Sequence, residues 1–185
     1  MSDVFLMVLL TLDATFRVSA PLILAAMAGL FAERSGVVDI GLEGKMLASA
    51  FAAASVAAVV GSAWVGLGAA IVVSCSLAML HGFATITHRG DQIVSGVAIN
   101  ILVSGLTIIL GLAWFHQGGL TPALQNEARF LSLTLPFVDQ LALIPVLGPI
   151  YKELISGHTI LVYLAFAVVP VVWWVVFRTR FGLRL

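Results

Sequence analysis

Hydrophobic residues along this chain form long runs without Asp, Glu, Lys or Arg, separated by short polar stretches. One run covers residues 46–87, and two more cover residues 93–115 and 159–177. A helix needs roughly 20 apolar residues to cross the hydrocarbon core of a bilayer. The first run is long enough for two crossings, and Gly61-Ser62 near its middle is expected to be the turn between them. The pattern therefore predicts four membrane-spanning helices from these three runs.

The beginning of the chain gives a weaker signal. Residues 18–32 are apolar and predict a fifth helix, although the run is short for a span unless flanking residues extend it. Residues 4–12 are also apolar, but they lie between Asp3 and Asp13 and are too few to cross. We expect this first run to lie at the membrane interface.

The character of the chain changes between residues 117 and 157. Charges are scattered there, and each proline removes a backbone donor that lipid cannot replace. The expectation is an external loop with short membrane-dipping helices; if the stretch crosses instead, the topology after it inverts. The four prolines of this stretch are Pro122, Pro136, Pro145 and Pro149.

These elements predict an all-α fold, a polytopic membrane helical bundle with about five transmembrane helices and short interfacial or re-entrant helices. Cytoplasmic loops carry an excess of Lys and Arg, which favours an outer N-terminus. In that orientation three basic residues lie outside, and six lie inside, namely Arg34, Lys45, Arg89, Arg178, Arg180 and Arg184.

Composition agrees with a membrane protein, because 61% of the residues are hydrophobic and only 10% are charged. Soluble domains are typically about 45–50% apolar and about 25% charged. Nine basic and nine acidic residues give a net charge of zero and no basic patch, so no nucleic-acid partner is expected. His81 and His88 are seven residues apart and could share a helix face, but no carboxylate or cysteine completes a metal set with them. We expect no metal, no cofactor and no catalytic residue in this chain.

Small residues recur at four-residue spacing in the two helices predicted from residues 46–87. Lipid tails are as apolar as leucine, so helices in a bilayer associate where small side chains allow close backbone approach. The pattern predicts that these helices lie inside a bundle or at a subunit interface, unless alanine only reflects genomic composition. The two faces are Ala50, Ala54 and Ala58, and Gly66, Ala70, Ser74 and Ala78.

The sequence AERSGVVDIGLEGK, residues 32–45, places charged residues and glycines between two apolar helices. One interpretation is a helix break in which backbone groups and the carboxylates of Asp39 and Glu43 line a polar cavity. The other is a cytoplasmic loop whose charges lie in water. Asn100 is a further polar residue, roughly 12 Å into the membrane from Gln92 at 1.5 Å per residue. Its amide could bind a hydroxylated solute or join two helices.

Three segments together resemble one family. They are PLILAAMAGLFAERSGVVDIGLEG at residues 21–44, DQIVSGVAINIL at residues 91–102 and FRTRFGLRL at residues 177–185. They look like the permease subunit of bacterial ABC importers for simple sugars and nucleosides, the branched-chain amino acid and ribose type of binding-protein-dependent permease. The resemblance implies a multi-pass protein of the bacterial inner membrane. It also implies three partners besides the lipid bilayer: a second permease subunit, a cytoplasmic ABC ATPase subunit and an extracytoplasmic solute-binding protein.

The resemblance also carries residue roles. Within it, five residues match the start of the cytoplasmic coupling segment that docks on the ATPase: Arg180, Phe181, Gly182, Leu183 and Arg184. Similar permeases usually have Asn where this chain has Asp39. They also continue through further spans, so we expect one transmembrane permease domain over residues 1–185 that is incomplete at its C-terminus.

The expected function is the permease subunit of an ATP-driven ABC importer, with ATP hydrolysis on a separate subunit and Asp39, Glu43 and Asn100 along the path of a nucleoside or simple sugar. Few polar groups in the membrane favour an uncharged solute. An alternative is an ion-coupled secondary transporter or channel in which Asp39 and Glu43 bind the ion at a broken helix. A second alternative is a membrane scaffold that transports nothing.

Overall fold

The computed structural model of the chain describes residues 3–118, 120–135 and 147–185. Within these ranges the fold is all-helical, with no strand beyond a single bridge between Ser132 and Thr159. The prediction of an all-α fold is confirmed. The five long helices are α1 (Asp3–Arg34), α2 (Leu42–Val60), α3 (Ala63–Gly82), α4 (Gln92–Phe115) and α5 (Ile160–Arg178).

All five long helices have the length and apolar composition of membrane spans, which confirms the predicted number. The chain is therefore a multi-pass membrane protein. A π-helical turn, Phe83–Thr87, extends α3 toward α4. The stretch between α4 and α5 contains short helical segments, as expected, but the question whether it crosses the membrane depends on residues 136–146, which lie outside the described residues. These short segments are Asn126–Ala128, Leu147–Ile150 and Tyr151–Ile155.

The first helix differs from its prediction. Residues 4–12 were expected to be a separate interfacial run, but they continue without interruption into α1. The polar residues that suggested a break are accommodated within the helix, since Asp13 and Arg17 form an i,i+4 ion pair with 3.0 Å between carboxylate and guanidinium. The hydroxyl of Thr15 donates to the Thr11 carbonyl at 2.8 Å. Because these polar groups find partners within the helix, α1 continues through residues 11–17 without a break.

The described contacts divide the chain into two compact units. One unit comprises Gly29–Phe130, and the other comprises Met1–Ala28 together with Leu131–Leu185. In the first unit α2 and α3 form an antiparallel hairpin. Gly61 makes its turn with a left-handed φ of 76°, as the sequence predicted for Gly61-Ser62.

Close packing of that hairpin depends on small residues. A Cβ on Gly66 would lie 2.6 Å from the Ala53 carbonyl oxygen and 2.9 Å from the Ala57 Cβ, so only glycine fits. Helix α4 then packs on α2 through Ile99 and Val103. Gly66, one of the predicted small residues, lies at this close contact. On α2 its neighbours are Ala53 and Ala57, whereas the predicted Ala50 is exposed.

In the second unit the N-terminal part of α1 packs against α5. Ala20 contacts Val162 and Ala165 in a small buried cluster. The rings of Phe16 and Phe166 meet edge to face with centroids 5.5 Å apart. These contacts join the two helices through small and aromatic side chains.

Candidate functional site

The polar segment between α1 and α2, residues 35–41, is a helix break. The end of α1 is capped by backbone hydrogen bonds from this segment. Helix α1 ends in a Schellman motif, in which the Val37 amide donates to the Ala32 carbonyl at 3.0 Å and the Gly36 amide donates to the Glu33 carbonyl at 3.1 Å. Gly36 takes the left-handed φ of 79° that this motif requires. The segment therefore leaves α1 sharply and turns back toward the bundle.

Asn100 of α4 holds the start of α2. Its side-chain oxygen accepts a hydrogen bond from the Gly44 amide at 2.7 Å, and its side-chain nitrogen donates to the Ile40 carbonyl at 3.1 Å. The residue before α2, Gly41, has no side chain to cap the free amides of the first turn. Asn100 therefore caps α2 from another helix, and both ends of its amide are used in doing so.

Glycines bring this break directly against α4. A Cβ on Gly96 would lie 2.8 Å from the Gly41 nitrogen, and a Cβ on Gly44 would lie 2.9 Å from the Asn100 Cα. These are backbone atoms that cannot rotate away, so contact at both points requires glycine. Gly44 and Gly96 therefore explain how the Asn100 amide comes within hydrogen-bonding distance of the break.

A buried ionic group lies on the other side of the break. Asp39 forms an ion pair with Lys45 of α2, and Lys45 is only 5% exposed. The Nε2 atom of His81, at the end of α3, lies 3.9 Å from the Asp39 carboxylate. A buried ion pair needs close partners because both charges have lost their water. This arrangement joins the break, α2 and α3.

His81 also contacts α4, where its Nδ1 lies 3.0 Å from the Ser95 hydroxyl. Ser95, His81 and Asp39 thus place a hydroxyl, an imidazole and a carboxylate in the order of a hydrolytic triad. However, 3.9 Å between Nε2 and the carboxylate exceeds a hydrogen bond, and His81 is only 2% exposed. No substrate could reach the imidazole in this arrangement, so we interpret the group as structural.

Gln92, the first residue of α4, fastens the break at a third point. Its side-chain oxygen accepts a hydrogen bond from the Val38 amide at 2.7 Å. Its side-chain nitrogen lies 3.5 Å from the Gly36 carbonyl oxygen. Sequence reasoning missed the roles of Gln92, Ser95 and His81, since each depends on which helices are neighbours. The position of Gln92 at a helix start was the one available signal.

The three predicted pathway residues have different surroundings. Asp39 and Asn100 both hold the break, through Lys45 and through the backbone of residues 40–44 respectively. Glu43 is exposed in the first turn of α2, where a carboxylate favours the positive end of the helix dipole. The structure therefore places Asp39 and Asn100 at the break, where Asp39 joins it to α2 and α3 and Asn100 joins it to α4, and leaves Glu43 exposed.

The five predicted coupling residues form a compact turn after α5. The Leu183 amide donates to the Thr179 carbonyl at 3.2 Å, and the Arg184 amide donates to the Phe181 carbonyl at 3.1 Å. Gly182 is buried against the end of α5, where a Cβ would collide with the Val176 carbonyl. The turn therefore exposes Arg180, Phe181, Leu183 and Arg184 around one buried glycine.

Replacing Asn100 with alanine should lower the free energy of unfolding by about 1–2 kcal/mol, because the Gly44 amide and the Ile40 carbonyl lose their partner. Unfolding of the purified protein in mixed micelles, followed by tryptophan fluorescence, would measure this. Ser104→Ala on the same helix is the matched control, since the Ser104 hydroxyl bonds only within its own helix. Equal stability of the two variants would contradict the capping role.

Sequence comparison shows which known proteins this chain is similar to. A family model described as the permease component of branched-chain amino acid transport systems matches residues 11–185. The guanosine ABC transporter permease protein NupQ of Bacillus subtilis is 35% identical over 99% of this chain and 56% of its own length. The "Putative glucose ABC transporter permease protein TsgC13" of Haloferax volcanii is 34% identical over 94% of this chain and 50% of its own length.

A third relative, the nucleoside ABC transporter permease protein NupC of Lactococcus lactis, is 32% identical over 90% of this chain and 51% of its own length. No solved structure matches. The chain spans about half the length of these curated relatives. Because the family model covers nearly the whole chain, including the helix break, α4 and the turn after α5, the chain belongs to the family of permease components of branched-chain amino acid-type transport systems.

Proposed function

We propose that the chain forms part of the transmembrane permease subunit of an ATP-driven ABC importer for a nucleoside or simple sugar. The observation that carries this proposal is the family match over residues 11–185, supported by relatives described as guanosine, nucleoside and glucose permeases. ATP hydrolysis then takes place on a separate cytoplasmic subunit. A second permease subunit, an extracytoplasmic solute-binding protein and a cell membrane complete the proposed assembly.

In this proposal the helix break moves as one body during alternating access. Asn100, Gln92 and Asp39 fasten it to its neighbours at three separate points. A segment held in this way moves with its neighbours rather than alone, because moving alone would break these contacts and leave the buried charge of Lys45 unpaired. Asp39 and Asn100 therefore position the wall of the solute path. Glu43, whose side chain is exposed, is the pathway residue that could meet solute directly.

The turn after α5 supplies the proposed contact with the ATPase. Its arginines and its apolar side chains, Phe181 and Leu183, are exposed, while Gly182 keeps the turn tight against the helix. An apolar patch edged by cations is suited to a pocket with acidic residues on its rim. We propose that Phe181 and Leu183 enter such a pocket and that Arg180 and Arg184 pair with its rim.

The function is tested by reconstituting the full-length permease with the other importer subunits in vesicles and measuring uptake of labelled nucleosides and simple sugars, guanosine and glucose among them. The proposal expects uptake of one of them that requires ATP together with the ATPase and binding-protein subunits. Uptake driven by a proton or sodium gradient without those subunits would contradict it and support the ion-coupled alternative. No uptake of any nucleoside or simple sugar by the complete assembly would also contradict it.

Changing Arg180 and Arg184 together to alanine should reduce stimulation of the ATPase by the binding protein about tenfold or more, because two exposed cations of the coupling turn are lost. Basal ATP hydrolysis should remain. The measurement is phosphate release by the reconstituted complex with and without loaded binding protein. Arg129→Ala, an exposed arginine in the stretch between α4 and α5, is the control. Unchanged stimulation in the double variant would contradict the coupling role.

A further inference from the structure

A pocket of about 870 Å³ lies at the end of α2 that is opposite to the helix break. It is formed between the last turn of α2 and residues 122–128, which follow α4. Within that stretch, the short helix Asn126–Ala128 packs against α2 and α3. Next to it the rings of Trp64 and Phe130 meet edge to face, with centroids 5.1 Å apart. The volume is typical of small-molecule sites, which measure about 300–1,000 Å³.

The wall that α2 contributes to this pocket provides hydrogen-bond acceptors. The last four carbonyls of a helix have no partner within it, and here the Gly61 amide caps the Ala57 carbonyl at 2.9 Å. Among the described residues, no backbone amide donates to the carbonyls of the next three residues, Ala58, Val59 and Val60, which line the pocket. The C-terminal end of a helix also carries a partial negative charge. This wall therefore favours a ligand that donates hydrogen bonds and is positively charged.

The opposite wall of the pocket adds a carboxylate. Glu127 is the only charged residue among the described residues that line the pocket, and it is exposed. Arg129, two residues later, is not a lining residue. An ammonium group has three donors and no acceptor, so it satisfies the α2 carbonyls and the carboxylate together. Because a metal ion needs its ligands within about 2.6 Å, a pocket of this size suits an organic cation better than a bare ion.

The position of the pocket along α2 indicates where such a cation comes from. Helix α2 has 19 residues, which span about 28 Å at 1.5 Å per residue, close to the roughly 30 Å of a bilayer core. Its last turn therefore lies at the level of the lipid headgroups, where tryptophans such as Trp64 are enriched. The side chains of Val59 and Val60 are exposed beside the pocket. In a membrane protein such apolar side chains contact lipid, so a lipid headgroup is the nearest source of an ammonium group.

We propose that this pocket binds the headgroup of phosphatidylethanolamine. The primary ammonium donates hydrogen bonds to the free carbonyls of α2 and pairs with Glu127, while the acyl chains lie beside Val59 and Val60. Phosphatidylcholine has the same charge, but methyl groups replace its three donors, and phosphatidylglycerol has no cation. The bound lipid joins the end of α2 to the stretch after α4. This binding does not depend on which solute the chain transports.

The test titrates the full-length permease in detergent micelles with each of these three lipids and counts bound lipids by native mass spectrometry. The wild type should bind phosphatidylethanolamine about three- to tenfold more tightly than phosphatidylcholine, because the carbonyls lose their donors, and phosphatidylglycerol most weakly. Glu127→Gln should lower the affinity for phosphatidylethanolamine about three- to tenfold. Glu33→Gln is the matched control, since Glu33 is an exposed glutamate near the end of α1, and it should leave that affinity unchanged.

Ala123→Trp is a second variant, which fills the pocket from an exposed position and keeps Glu127. It should abolish the preference for phosphatidylethanolamine. Equal wild-type affinities for phosphatidylethanolamine and phosphatidylcholine, or an unchanged preference in Glu127→Gln or Ala123→Trp, would overturn the proposal. Free ethanolamine that binds as tightly as the lipid would do the same. So would a Glu127→Gln variant that binds the solute-binding protein more weakly but every lipid equally well, because the pocket would then take a lysine of that protein.

Discussion

Lys45→Met is expected to lower the free energy of unfolding by about 3–5 kcal/mol, because it leaves the Asp39 carboxylate buried without its cation. Methionine has nearly the volume of lysine, so lost packing contributes little. The nearest remaining group is His81, whose Nε2 is 3.9 Å away. Unfolding of the purified protein in mixed micelles measures the effect.

A second variant tests whether the lost stability comes from the unpaired charge of Asp39 rather than from the substitution of Lys45 itself. Asp39→Asn combined with Lys45→Met removes both charges and should recover most of the lost stability, since replacing a whole buried pair costs far less than removing one partner. If Lys45→Met is as stable as the wild type, or if the double variant is no better than the single one, the ion pair does not hold the break.

Gly44→Ala is expected to lower the free energy of unfolding by about 3 kcal/mol. The added Cβ would lie 2.7 Å from the Asn100 side-chain oxygen and 2.9 Å from the Asn100 Cα, so α2 and α4 must separate. Overpacking of this kind typically costs about 1–3 kcal/mol, and separation also stretches the capping hydrogen bond, worth about 1 kcal/mol. The same unfolding measurement in mixed micelles applies.

Gly105→Ala provides the comparison on α4. A Cβ there meets no atom within 4 Å. Alanine in a helix is about 0.5–1 kcal/mol more favourable than glycine, so this variant should be neutral or slightly stabilised. Equal behaviour of Gly44→Ala and Gly105→Ala would show that the contact between the break and α4 is loose, and the proposed positioning role of Asn100 would fail with it.

The sequence was sufficient for the spans because hydrocarbon penalises every charge and every unpaired backbone group. It failed at the start of α1 because the ion pair of Asp13 with Arg17 satisfies a polar turn inside the helix. It also predicted that small residues of α2 and α3 line contact faces; Gly66 lies in such a contact, whereas Ala50 is exposed. Composition reports that small residues are present, whereas the rotation of a helix about its axis depends on its neighbours.

Only part of the candidate site could be predicted from the sequence. Asp39 and Asn100 stood out because charged and amide groups are rare between apolar runs. Their partners could not be predicted, because Asn100 bonds residues 56 and 60 positions away and His81 was assigned no partner. Such pairs follow from which helices are adjacent. The orientation of the chain in the membrane and the roles of Glu43 and the residues after α5 stay predictions.

The cap that Asn100 provides for α2 has a consequence for biogenesis. Asn100 lies 56 residues after the Gly44 amide that it binds. At about 5–20 residues per second, a ribosome needs roughly 3–11 seconds to add that length. During this interval the first turn of α2 lacks its capping partner, so its free amides must bind water or the insertion machinery until α4 has been synthesised. The hairpin of α2 and α3 is thus synthesised first, and the cap of α2 forms only later.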